Sequence, residues 1–157
     1  MTTPIYLDAH CIHALDLSPA KSVIEPMLNA GNIGASEQSV AFSIDYPREP
    51  NDPREISEIP EVRLWFVRLD AVYPWFPFVL DWGTELSRYT AMLVPHQFSR
   101  SDGIQYNPEA LELFVMHKIF IILDWLKQGG LEGRSKVKAL ALTLGYELDD
   151  AFFDLVE

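Results

Sequence analysis

The sequence predicts an α+β fold: a small sheet packed against a long central helix, with further short helices. Two N-terminal segments alternate apolar and polar residues, as half-buried strands do. A long apolar segment near the C-terminus repeats at helical spacing between an Asn-Pro start and a Gly-Gly stop. The intervening order of strand, helix, strand, helix and strand, followed by helices, completes the class.

The first strand is expected over Ile5–Leu15, where Ile5, Leu7, Ala9 and Cys11 alternate. Ser18-Pro19 opens a helix, with serine as cap and proline at the first helical position. It is expected to run to Asn29, before Gly31 and Gly34, with an early end or a kink at Pro26. Gln38–Asp45 alternates again, with Val40, Phe42 and Ile44 on one face, so the two strands can pair. Tyr46–Pro60 holds four prolines among Glu49, Asp52, Glu55 and Glu58 and is an acidic connector. Asp52 and Glu55 have capping-box spacing, which predicts a short helix from Pro53. The residues upstream are too few for an independent domain, so one domain over 1–157 is expected.

Glu61–Tyr73 is predicted helical because Val62, Trp65, Phe66, Leu69, Val72 and Tyr73 share a stripe away from most of the charges. Pro74 and Pro77 break that helix. Phe78–Trp82 is expected to be extended and Leu86–Val94 an inner strand ending at Pro95. Asn107-Pro108 starts the central helix, which runs to about Gln128 before Gly129-Gly130. At 1.5 Å per residue it spans about 30 Å. Arg134–Leu144 and Leu148–Val156 supply the last two helices.

A chain of 157 residues can bury a core without staples. The lone Cys11 rules out an internal disulfide and any iron–sulfur or zinc site held by this chain's thiolates alone. No cofactor is expected. A net charge of −11 argues against nonspecific nucleic-acid binding, which needs a cationic face. It suits a basic protein partner. Charged residues interrupt the most apolar helix, so no membrane insertion is expected.

Nucleotide-binding glycine patterns, a serine-nucleophile elbow and a His-Glu-x-x-His motif are absent from the sequence. His10 and His13 fall on opposite faces of the predicted strand, so no metal site is assigned there. His96, Gln97, Ser99, Arg100 and Asp102 cluster in a predicted loop after a strand. Residues so closely spaced are poorly disposed for a catalytic triad, and no catalytic residue is assigned. A small enzyme acting through the His96–Asp102 loop stands as the alternative reading. Trp75, Phe76 and Phe78, set beside prolines, are the candidate partner-binding rings, with His96, Gln97 and Arg100 as further contacts.

The runs DPREISEIPEVRLWFVRLDAVYPW, WGTELSRYTAMLVPHQFSRSDGIQYNPEALELFVMHK and LGYELDDAFFD resemble the chlororespiratory reduction 6 family of cyanobacteria and chloroplasts. That resemblance implies a non-catalytic assembly factor for the photosynthetic NAD(P)H dehydrogenase-like complex. The implied role is to bind, and assist maturation of, the I subunit, an iron–sulfur protein of the peripheral arm. No Ser/Arg-rich leader precedes the first strand, so a cyanobacterial, cytoplasmic member is expected.

Overall fold

The computed structural model describes residues 2–31, 39–81, 84–99, 101 and 103–156, with backbone alone at 39, 96–99 and 103–105. It is an α+β protein. The chain divides into two compact units, Met1–Met92 and Leu93–Glu157.

The first unit is built on a parallel pair, β1 (Thr2–Asp8) and β2 (Ser39–Asp45). Ile5 lies opposite Phe42 and Leu7 opposite Ile44, so the alternation seen in sequence places one apolar face inward. β1 stops earlier than its alternation suggested. The Asp8 carboxylate accepts the Cys11 N–H at 2.9 Å and the Cys11 sulfur accepts the Asp8 N–H at 3.2 Å. This reciprocal cap opens a short helix, α1 (Ala9–His13), which takes His10 and His13 off the strand. α2 (Ser18–Ala30) passes through Pro26 and ends on Gly31, whose φ of 68° suits a residue without Cβ. Its N-terminal helper is Asp16, which accepts the Ser18 N–H at 3.0 Å.

In the connector no helix begins at Pro53. A single 3-10 turn forms instead at Ile56–Glu58, capped reciprocally by Glu55 and Glu58. α3 (Pro60–Val72) buries Val62, Trp65, Phe66 and Leu69 of the predicted stripe, while Val72, expected on the same stripe, is 49% exposed. The Trp65 indole N–H donates to the Asp16 carbonyl at 2.9 Å, so this buried ring keeps its polar atom satisfied.

The segment after α3 differs from the expected extension. Phe76–Val79 is a 3-10 turn whose residues are all buried. Phe76 and Phe78 are therefore core residues and do not offer rings to a partner. The turn is tied by the Phe76 and Phe78 N–H groups to the carbonyls of Tyr73 and Trp75. Phe76 joins a cluster with Phe42, Phe66 and Tyr89, with ring centroids 4.9–6.3 Å apart.

Leu86–Val94 is not a strand either; Leu86–Leu93 belongs to α4 (Thr84–Leu93). Leu86, Tyr89, Met92 and Leu93 are buried at helical spacing. Thr90, whose β-branch favours strands, accommodates the helix by donating its hydroxyl to the Leu86 carbonyl at 3.0 Å. α4 also completes the sheet. Glu85 Oε2 accepts the Phe42 N–H at 3.0 Å, and Arg88 Nη1 donates to the Phe42 carbonyl at 2.8 Å. Two side chains thus stand where a third strand would pair, closing the free edge of β2.

The second unit contains a hairpin, β3 (His96–Ser99) and β4 (Gly103–Tyr106), and the long helix α5 (Pro108–Gly129). The predicted loop at 96–99 is therefore strand, paired antiparallel with β4. Asn107 caps α5 and Gly130, at φ 65°, terminates it. Lys118 is buried with its ammonium 5.7 Å from the Phe114 ring centroid, so its place on the inner face is compatible with an apolar surround. α6 (Arg134–Thr143) and α7 (Asp150–Val156) are tied together by Arg134–Asp154 at 3.0 Å and Lys138–Asp150 at 2.7 Å, beside the Phe153 ring. The sheet of the first unit is packed by α2 and α1.

Candidate functional site: the outer face of α3

With Phe76 and Phe78 in the core, Trp75 is the predicted ring that keeps partial exposure, edge-on to Tyr73 at 5.8 Å. His96 and Gln97 are placed by backbone in β3, while their side chains, together with Arg100 and Asp102, lie outside the described residues. Of the three predicted contacts whose side chains are described, Phe76 and Phe78 are buried and Trp75 is half-buried.

A different surface carries apolar side chains to solvent. On α3, Pro60, Leu64, Val67 and Ala71 are exposed, with Leu64 at 53% and Val67 at 47%. Steps of four, three and four residues keep them on one line of the helix, directly opposite the buried Val62–Trp65–Phe66–Leu69 stripe. The helix is therefore apolar on two faces, one spent on the core and one unused by it. Exposed apolar residues scattered singly need no explanation; a straight row of them at the spacing of a helix seam is the anatomy of a docking face. The sequence holds this signal, but the larger aromatic stripe on the same helix masks it.

The N-terminal end of the row meets an acidic border. Glu55, Glu58 and Glu61 are exposed around the 3-10 turn and the first turn of α3. Arg63 holds that turn in place: its Nη1 lies 3.4 Å from the Ser57 carbonyl and 3.5 Å from the Ala91 carbonyl. Burial lowers the Arg63 guanidinium from its ordinary value.

Beside Pro60 opens a cleft of about 430 Å³ whose walls include Tyr46, Arg48, Asp52, Arg54, Ile59 and Glu61. Its shape is fixed by a two-pronged ion pair. Arg54 Nε and Nη2 donate to the Asp52 carboxylate at 3.0 and 2.8 Å, and the Arg54 N–H adds a third bond at 3.0 Å. These bonds hold the Asp52 carboxyl down at about 2. Arg48 donates to the Arg54 carbonyl and secures the same turn. The surface offers an apolar seam and fixed charge, which suit recognition of a polypeptide.

Cys11 is buried, and burial raises its thiol above the ordinary value. Among the described residues no group of three His, Cys, Asp or Glu is gathered in the manner of a metal site. No helix among them is long and apolar enough to cross a membrane.

The family model described as chlororespiratory reduction 6 matches residues 7–155, spanning both compact units. The chain belongs to the chlororespiratory reduction 6 family. For a member of the chlororespiratory reduction 6 family, a role in assembly of the NAD(P)H dehydrogenase complex follows. No solved structure matches the chain.

Proposed function

We propose that this protein is a non-catalytic assembly factor. It binds the free I subunit of the NAD(P)H dehydrogenase-like complex and holds it until it joins the complex. In this reading it works in the cytoplasm of a cyanobacterium. The observation that carries the binding role is the outward Pro60–Leu64–Val67–Ala71 row with its acidic border. A helix of the client with its own apolar stripe, and basic residues at the end that meets Glu55, Glu58 and Glu61, is the matching element. Cys11 supports a holding role over cluster donation, because one buried thiol cannot carry an iron–sulfur cluster.

The test is co-purification of the I subunit with the wild-type protein and with a Leu64→Glu/Val67→Glu variant, each checked for native helix content by circular dichroism. The wild type retains the subunit and the folded variant loses it. Wild-type protein that recovers no subunit of the complex refutes the client, and a folded variant that binds undiminished refutes the surface.

A further inference from the structure

We propose that α7 is a strap, clamped to α6 by a ladder of exposed charge pairs, which opens as a unit when salt screens those pairs while α5 and α6 stay folded. The inference does not depend on the client surface of α3. Of the seven residues of α7, Phe153 alone is buried, whereas α6 buries Val137, Leu140 and Ala141. Phe152 is half-buried and rests on Phe120 of α5, with ring centroids 6.2 Å apart. The remaining residues of α7 are exposed, Leu155 at 86%. A helix this short does not hold its shape in water by itself. α7 therefore keeps its fold through what ties it down, and the apolar share of that is one ring and part of another.

The rest is charge. Arg134 and Lys138 stand one turn apart on α6, and Asp150 and Asp154 one turn apart on α7, so each pair lies on one side of its helix. They meet as Lys138–Asp150 at 2.7 Å, Arg134–Asp154 at 3.0 Å and Arg134–Asp150 at 3.9 Å. Both cations also stand 5.5–5.8 Å from the Phe153 ring centroid, so the apolar anchor and the ladder form one assembly. Two of these charges are placed against their own helices. Arg134 is the first residue of α6, where the dipole disfavours a cation, and Asp154 lies in the last turn of α7, where it disfavours an anion. The bond between them offsets both costs. The carboxylates are 69–72% exposed and the cations 36–37%, so dissolved ions reach every rung. Residues 146–149 join α6 to α7 outside any helix, following Gly145 at φ 91°, and supply the pivot. Opening there bares Phe152 and Phe153 and uncovers Phe120.

The test is amide hydrogen exchange of the full-length chain, followed residue by residue by NMR at low and at high sodium chloride, with three charge variants. In the wild type the α7 amides exchange roughly tenfold faster at high salt, while those of the buried stretches of α5 and α6 keep their rates. Arg134→Glu and Asp154→Lys each turn an attractive rung into a repulsive one and speed α7 exchange by a similar factor already at low salt. The double variant, which rebuilds the rung with its signs exchanged, regains most of the wild-type protection. Helix-dipole effects alone predict the reverse for the single variants, since each places the favourable sign at a helix end and would tighten the strap. The proposal is overturned by α7 amides that exchange no faster in salt, by α7 and α5 amides that accelerate together, by a single variant as well protected as the wild type, or by a double variant no better protected than either single one.

Discussion

Glu85 is the residue on which the sheet edge depends, and its removal has a calculable cost. Its carboxylate accepts the Phe42 N–H in a site where both residues are almost wholly shielded from water. Glu85→Ala deletes a charge-assisted bond worth about 1.5–3 kcal/mol and strands a buried donor, so a loss of about 3 kcal/mol is expected. Glu85→Gln keeps an acceptor and the buried stem. It loses only the charge and the contact with Arg88 at 3.5 Å, for about 1 kcal/mol. Arg88→Met belongs with the milder change, because the partly exposed Arg88 site lets water replace its bond to the Phe42 carbonyl. Urea unfolding followed by tryptophan fluorescence reads the difference. With a slope of about 2 kcal/mol/M, Glu85→Ala lowers the midpoint by about 1.5 M and Glu85→Gln by about 0.5 M. A Glu85→Ala midpoint within about 0.3 M of wild type would refute the account of the edge. So would equal losses from the alanine and glutamine variants. An opened edge also predicts faster aggregation of Glu85→Ala near its midpoint, seen by light scattering.

Phe76→Ala removes a ring from the Phe42–Phe66–Tyr89 cluster and should cost about 3–5 kcal/mol in chemical denaturation, whereas Leu64→Glu on the outer face stays within about 0.5 kcal/mol. Tyr89→Phe deletes the 2.9 Å bond from the buried Tyr89 hydroxyl to Asp70 and is expected to cost about 1–2 kcal/mol at neutral pH, also by denaturation. The Asp52 carboxyl, held at about 2 against an ordinary 3.8, binds its proton less readily folded than unfolded. Its fork with Arg54 therefore stabilises the connector fully above pH 4 and fades as pH falls from about 4 towards 2. Carboxyl chemical shifts should give an Asp52 midpoint near 2, and a midpoint near 4 would remove the fork.

The elements that sequence reasoning recovered are those where one period dominates. α3 and α5 each carry a strong helical stripe and a proline start, and β1 and β2 alternate around Ile5, Leu7, Val40 and Phe42. The misreadings arise where side chains substitute for backbone. Asp8 and Cys11 end β1 early through mutual hydrogen bonds, and Thr90 satisfies its hydroxyl inside a helix. Phe76 and Phe78 next to prolines looked like presented rings, but tight 3-10 winding turns them inward. The α3 seam was written in the sequence as Pro60, Leu64, Val67 and Ala71. It was hidden because periodicity reports one face per helix, and here the aromatic face is the larger.

The distribution of indoles gives the two compact units separate optical signatures. Trp65, Trp75 and Trp82 all belong to the first unit and Trp125 alone to the second. Total emission is therefore weighted towards the first unit, where Trp65 sits edge-on to Phe66 in a dry core. The difference in emission between wild type and Trp125→Phe isolates the second unit's transition, so a single fluorophore class can time the melting of each half of the chain.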